Sequence, residues 1–425
     1  MSPTMPSDPP PPTRRRFLLS TLPLFGHALP FVGVIEALCR RGHEVFWLSL
    51  PWQQDDGYNK RRIAADRIAE RFGATALHTV RPPVDDEPAP DSDVRTAAIR
   101  RDLITVVPHQ VDEVRSLLRE HAIDGVLQDP FLAQLQIACT LEKIPFVCKM
   151  QGLRAFRTAE ISLWSDAMWE TLRPGFAALY GRYDLPFPRY VAGQLLSPWL
   201  NLAQLSGDVL DELGIVLTEG IAAGGFPHLS QPTRRALDVE VLGATPLPEA
   251  ELATDHPKAL VSFGTGGLNE AQQRVVDVLR ALAPSLGLRL FICDPSLSDP
   301  IQREGPVTLI RFAPLWDSMQ HVDLMVSHGG WGTTTQALRS GLPQLIVPEG
   351  FDQNDNGQRM EQLGVAEMMV EPGSITAETV EPRVRRLLSE PTRARAREIA
   401  ALDAKTDGAT MAAILLERTV EAGRS

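Results

Sequence analysis

Residues 322–327, Val-Asp-Leu-Met-Val-Ser, form a short apolar run with polar ends, and His328-Gly-Gly-Trp-Gly-Thr-Thr-Thr-Gln-Ala-Leu follows it directly. The run predicts a buried strand ending at His328, and Thr333 onward predicts the start of a helix. Between them, Gly329, Gly330 and Gly332 can take backbone conformations closed to other residues and let the main chain approach a bulky ligand. A strand joined to a helix by so tight a turn belongs to a parallel α/β layer, and it aims the helix's free N–H groups and dipole at an anion. A pyrophosphate suits that place. The hydroxyls of Thr333 and Thr334 and the imidazole of His328 add donors for its oxygens. Taken alone, the turn also fits a plain connection in any doubly wound sheet.

The next element narrows the reading. Leu-Pro-Gln-Leu-Ile-Val-Pro at 342–348 reads as a second buried strand, and it delivers Asp352, Gln353 and Asn356 onto a neighbouring loop. A carboxylate beside amides suits sugar hydroxyls, because each side chain can make two hydrogen bonds. The region 312–358 resembles the signature box of the GT-B glycosyltransferases of the UDP-glycosyltransferase type, family GT1. Phe312-Ala-Pro-Leu-Trp316 fits the opening of the box, with Phe312 at the position of the aromatic that stacks on the base and Trp316 as its rival. His328 matches the diphosphate-binding histidine, Gly330-Trp331-Gly332-Thr333 the phosphate turn, and Asp352-Gln353 the sugar-reading pair. Gly332 stands where plant members usually carry an asparagine, and Gln336 where they carry the glutamate that binds the ribose hydroxyls. Both departures suit a bacterial-type member. Gln336 can bond a ribose but brings no charge, which leaves uridine against thymidine open.

Composition excludes other classes. A chain of 425 residues, 44% hydrophobic and 22% charged, can fill two soluble domains. A net charge of -11 leaves no cationic excess for a nucleic-acid partner. Cys39, Cys139, Cys148 and Cys293 lie in apolar segments without Cys-x-x-Cys spacing, so they predict reduced thiols and a cytoplasmic location. Arg14-Arg-Arg-Phe-Leu-Leu19 imitates a twin-arginine export signal. However, Pro23, Gly26, His27, Pro30 and Glu36 interrupt the apolar run, and no small-x-small cleavage site follows. The better reading is a first strand at 17–22, a loop, and a helix over 30–41, with no stable membrane insertion.

Along the chain, residues 1–13 are proline-rich and predict a disordered tail. Residues 17–50 read as a β-α-β unit, and further strands at 125–127 and 145–149 flank a helix near 133–143. A composition break at 247–257 predicts a linker, after which Ala-Leu-Val-Ser-Phe at 259–263 opens a new buried strand. The expected fold is α/β, GT-B, with two facing Rossmann-like domains and a cleft between them. The acceptor-binding domain would span 14–246 and the nucleotide-sugar-binding domain 258–403. The resemblance implies that a C-terminal helix within 404–425 crosses back to the first domain. Ligands in such sheets sit at the carboxyl ends of the strands.

Phe25-Gly26-His27-Ala-Leu-Pro30 lies at the end of the first strand. An ordinary imidazole titrates near ~6.5, so His27 is suited to take a proton from a hydroxyl, or else merely caps the helix that follows. It matches the family's Gly-His-x-x-Pro segment, which implies the catalytic role. Asp129, closing another strand, would hold the tautomer of His27, or cap the next helix; Asp102 and Asp124 are weaker rivals. Ser262-Phe-Gly-Thr-Gly-Gly267 places Gly264 and Thr265 opposite His328, where they would complete the diphosphate site. Asp91-Ser-Asp93 imitates a metal-binding motif but lies in a proline-rich acidic loop. Aromatic residues make up only 6% of the chain, yet Trp164, Trp169, Phe176, Tyr180, Tyr183, Phe187, Tyr190 and Trp199 crowd into one segment. That segment either packs helices together, lines an apolar acceptor pocket with Phe25, Trp164, Trp169 and Phe187, or touches a membrane surface.

The resemblance implies an inverting, metal-independent transfer of a sugar from a nucleotide diphosphate to a hydroxyl of a small lipophilic natural product. UDP-glucose is the default co-substrate, with no resident cofactor. The rival readings are a TDP-deoxysugar transferase acting on a polyketide-like scaffold, a non-catalytic donor-binding protein of the same fold, and a sugar-nucleotide epimerase. The oligomeric state is open.

Overall fold

The computed structural model describes residues 13–22, 25–50, 56–79, 94–153, 156, 166–191, 193–225, 227, 243–264, 268–350 and 352–423. Two seven-stranded sheets organise them. The first contains β1 (Arg16–Ser20), β2 (Glu44–Ser49), β3 (Thr75–His78), β4 (Gly125–Gln128), β5 (Phe146–Lys149), β8 (Leu200–Ala203) and β9 (Ile221–Ala223), in the order β3-β2-β1-β4-β5-β8-β9. A two-stranded ribbon, β6 (Tyr190–Val191) and β7 (Gln194–Leu195), precedes β8. All pairs of the first sheet are parallel. Parallel strands need crossovers, and α1 (Phe25–Arg40), α2 (Asp56–Arg71), α3 (Val94–Glu120) and α4 (Ala133–Leu141) supply them. With helices on both faces, β1, β4 and β5 read as continuous apolar runs rather than alternating ones.

The second sheet runs β12-β13-β11-β10-β14-β15-β16. Its strands are β10 (Lys258–Ser262), β11 (Arg289–Cys293), β12 (Ile301–Glu304), β13 (Val307–Ile310), β14 (Leu324–Ser327), β15 (Gln344–Ile346) and β16 (Ala366–Met368). Only the edge strand β12 is antiparallel. In both sheets the order reverses beside the first strand, which is the switch point where open α/β sheets bind ligands.

The segment read from sequence as a linker is packed onto the second sheet. Leu247 shares a core with Leu260, Phe291 and Ile310, and Glu251 accepts from Arg303 Nε at 2.6 Å and from the Thr308 hydroxyl. Its acidic, proline-rich composition reflects ion pairing and a short helix at Glu249–Leu252. The helix Gly408–Ala422 sets Ala409, Ala412, Ala413, Leu416 and Val420 on one face, into the core built by Phe17, Phe31, Ile35 and Leu38. A mixed cluster joins the halves: Met150, Leu153, Leu196 and Leu213 pack with Trp331, Ile346, Met360 and Ile399. Among the described residues, no helix is long and apolar enough to cross a membrane.

One boundary bears on the site. The helix α1 starts at Phe25, not near residue 30, and carries Pro30 inside it. Pro30 has no N–H to return to the carbonyl four residues earlier, and that carbonyl, Gly26 O, lies at the junction of the two halves. His27 therefore stands in the first turn of a helix, not on a loop.

Candidate active site

The carboxyl ends of β1 and β4 are neighbours, with Ser20 paired to Gln128. This register brings Thr21 and Asp129 together. His27 Nδ1 donates to Asp129 Oδ2 at 2.6 Å, and the same oxygen accepts from Thr21 Oγ1 at 2.7 Å and Gln151 Nε2 at 3.1 Å. Asp129 is fully buried while the His27 side chain keeps 23% of its surface exposed. Burial alone would raise the Asp129 carboxyl. The charge and hydrogen bond of His27, the Lys149 ammonium and the Thr21 hydroxyl outweigh it and hold Asp129 below its ordinary value. An ionised carboxylate only accepts, so Nδ1 carries the hydrogen and Nε2 presents a lone pair. That is the tautomer of a general base.

On the other half, Gly329 adopts φ +81°, and a β-carbon there would stand 2.8 Å from Ile346 Cγ2 and 3.1 Å from the Gln353 carbonyl oxygen. Only glycine fits. The helix Trp331–Arg339 follows, capped by Gly330 without any side-chain bond to its first turn, so its leading N–H groups remain open to a ligand. Two polar atoms nearby, His328 Nδ1 and Thr334 Oγ1, are buried without a hydrogen-bond partner. Burial lowers the His328 imidazole, against the pull of Asp352 and Glu349, which favours a neutral ring that donates one N–H. Gly264, at φ +85°, closes the other side of this ring: a β-carbon there would lie 3.6 Å from His328 Cε1. Thr265 lies outside the described residues.

The loop carrying Asp352 and Asn356 is tied to the glycine turn at Gly329. Asn356 Nδ2 donates to Gly329 O at 3.0 Å and to Asp352 Oδ2 at 2.9 Å. Gln353 does not present its whole amide: Oε1 accepts from Glu349 N at 2.7 Å and Gly350 N at 3.3 Å, which leaves only Nε2 for a ligand. Gln336 is buried on the same helix as Thr334, and Thr333 is half-buried. Phe312 and Trp316 are both half-buried beyond the end of β13, and Thr245 N bonds Phe312 O at 2.8 Å.

The two halves meet at this point. A β-carbon on Gly332 would contact Gly26, 3.7 Å from its oxygen, so the first turns of the His27 helix and the Thr334 helix face each other.

Two aromatic residues expected at the site are held by packing. The Trp331 side chain is buried in the cluster between the halves, and its Nε1 has no hydrogen-bond partner there. Phe187 packs against Tyr180 and Tyr190, with ring centroids 5.9 Å apart in each case, beside the buried Leu172 and Phe176. It is partly buried, packed against the aromatic cluster of the first domain. Trp164, Asp91 and Asp93 lie outside the described residues, as do the side chains of Phe25, Trp169 and Asp102. Asp124 instead accepts from Arg16 N at 2.8 Å, at the far end of the strands. Sequence reading missed Thr21, Lys149 and Gln151. The signal for Lys149 was a lysine closing the apolar strand Phe146-Val-Cys-Lys149. Among the described residues, no group of three or more His, Cys, Asp or Glu side chains is placed to hold a metal ion.

The chain is similar to several known proteins. The family described as "Erythromycin biosynthesis protein CIII-like, C-terminal domain" matches residues 296–411. O-mycaminosyltylonolide 6-deoxyallosyltransferase of Streptomyces fradiae is 30% identical over 183 residues, 42% of this chain and 42% of the relative's length. Demethyllactenocin mycarosyltransferase of the same organism is 26% identical over 402 residues, covering 87% of this chain and 78% of the relative. Among solved structures, the spinosyn rhamnosyltransferase SpnG complexed with thymidine diphosphate superposes with a TM-score of 0.63 at 19% identity, covering 94% of this chain and 99% of that one.

Proposed function

We propose, on the premise that this chain belongs to the GT-B glycosyltransferases of the bacterial natural-product type, that it moves a sugar from a nucleotide diphosphate to a hydroxyl of a small lipophilic natural product. The observation that carries the reading is the His27–Asp129 pair facing, through Gly26 and Gly332, the open helix start beside His328. His27 Nε2 takes the acceptor proton as the hydroxyl oxygen attacks the anomeric carbon. The bond from that carbon to the diphosphate breaks, and a single displacement inverts the configuration. Asp129 stabilises the imidazolium that forms. The departing charge falls on the first-turn N–H groups of the Trp331–Arg339 helix, with His328, Thr333 and Thr334 as further donors. Asp352 and the Gln353 Nε2 group would hold the sugar hydroxyls. A non-catalytic donor-binding protein would have no use for a buried carboxylate aimed at a half-exposed histidine.

The relatives are named for 6-deoxyallose and mycarose transfer, and a neighbour of the same fold holds thymidine diphosphate. These names favour a TDP-deoxysugar over the UDP-glucose expected from the wider family. A thermal-shift titration with TDP and UDP side by side tests this, since a ligand at a hundredfold its dissociation constant stabilises by about 2.7 kcal/mol. A larger shift with TDP supports the deoxysugar reading, and a larger shift with UDP returns the donor to a common sugar. No shift with either would remove the donor site. For the chemistry, His27→Ala should lower turnover by about 10² to 10⁴ with nucleotide binding intact. Unchanged turnover would remove the base assignment.

A further inference from the structure

The strand β5 runs parallel to β4 with Gln128 opposite Cys148, so the next residues, Asp129 and Lys149, close adjacent strands. Lys149 is 1% exposed, among the largest fully buried side chains of the protein. Its ammonium lies 4.9 Å from the centroid of the Phe31 ring, and Phe31 stands one helical turn beyond His27. Nζ has no hydrogen-bond partner, and neither has Asp129 Oδ1, the carboxylate oxygen that His27, Thr21 and Gln151 leave untouched. An ammonium buried among apolar side chains is costly, and a nearby carboxylate is what compensates it.

We propose that Lys149 is a positioning residue of the His27–Asp129 pair: its buried charge keeps Asp129 ionised and sets how firmly the pair holds the proton taken from the acceptor. This rests on the reading of His27 as base. Burial pushes the Lys149 ammonium down to about 8, against the pull of Asp129. The groups facing Asp129 are therefore His27 from α1, Lys149 from β5 and Cys148 on the same strand. Burial raises the Cys148 thiol, which stays neutral and accepts from Gln136 Nε2 at 3.4 Å. Lys149 is thus the one cation besides His27 that acts on Asp129 among the described residues. When charged, it offsets part of the carboxylate's field at His27 and weakens the hold on the imidazolium.

The test follows the ring-nitrogen signals of His27 by NMR in the full chain labelled with ¹⁵N-histidine, assigned by their loss in H27A. These signals report the pair's titration as a unit. In K149M the midpoint moves to higher pH by about half a unit or more. A folded K149M whose midpoint matches the wild type overturns the proposal. Should K149M fail to fold, the wild-type chain decides alone. Loss of the Lys149 proton produces a second inflexion in the His27 signals near pH 8, and a single smooth curve overturns the proposal. The base reading fails separately: sugar transfer by H27A at the wild-type rate would remove it, even with the Lys149 coupling intact.

Discussion

Gly152 and Asn356 meet across the two halves of the molecule so closely that a β-carbon on Gly152 would stand 3.0 Å from Asn356 Oδ1. It would also stand 3.4 Å from Asp352 Oδ2, and Gly152 adopts φ +64°. The loop that follows β5 in the first domain therefore sets the position of the loop carrying Asp352 and Asn356 in the second. Gly152→Ala meets a backbone conformation that costs a side chain about 1 kcal/mol, and it presses on both residues. The expected result is a rise of about tenfold in KM for the nucleotide sugar with the affinity for the free diphosphate nearly unchanged. Steady-state kinetics beside nucleotide titration checks this, and equal losses for both ligands would contradict it.

Asp129→Asn keeps the shape of the buried carboxylate and removes its charge. The amide can accept from Nδ1 no better than it can donate to it, so His27 loses its fixed tautomer. Turnover should fall by about 10²-fold or more, with donor affinity within about twofold of wild type. A pH–rate profile shows the sign. The folded Asp129 lies below its ordinary value, so it stays ionised and acts on His27 until pH falls through that depressed value. The gap between wild type and variant should close only at the acid end.

Glu417 fastens the C-terminal helix to the first domain. Arg41 Nε and Nη2 donate to its two oxygens at 2.6 and 2.7 Å, and His43 Nε2 donates to Oε1 at 2.7 Å while His43 Nδ1 accepts from Arg15 N. Burial would raise this carboxyl, but the hydrogen bonds from Arg41 and His43 and the Arg41 charge hold it below its ordinary value. The stabilisation is therefore complete above the unfolded value near ~4.3 and disappears as pH falls through the folded one. Glu417→Gln should cost about 2 kcal/mol at pH 7. Melting curves at pH 7 and near pH 4 check it: the difference must shrink on acidification.

The parallel two-domain architecture was legible because its strands are short apolar runs and its glycine turns are steric necessities, as Gly329 shows. The His27–Asp129 pair was legible because His27 lies in the Gly-His-x-x-Pro segment that follows β1 and Asp129 directly follows β4. Lys149, Gln151 and Thr21 were not, since only the register of β1, β4 and β5 brings three separated positions to one carboxylate. The surroundings of Trp331 and Phe187 were not legible for a common reason: composition counts aromatic rings but does not tell whether a ring turns to a cleft or to a neighbouring ring. The packed segment around Leu247 misled because ion-paired acids such as Glu251 look like solvated ones in sequence.

Thr334 offers a test with two opposite signs. Its hydroxyl is buried on the first turn of the phosphate helix with no hydrogen-bond partner, which is an unfavourable state for the free protein. Thr334→Val keeps the branched shape and removes that oxygen. If the hydroxyl is there for the diphosphate, the free variant should melt at the same temperature as wild type or higher, by up to about 1 kcal/mol of stability. Its affinity for TDP or UDP should nevertheless fall by about ten- to a hundredfold, the value of one hydrogen bond to a charged oxygen. Differential scanning calorimetry of the free protein and calorimetric titration of the nucleotide measure the two effects independently. A variant that is less stable and binds equally well would mean that Thr334 serves only to pack the helix, and the leaving group would then rest on His328 and the backbone N–H groups alone.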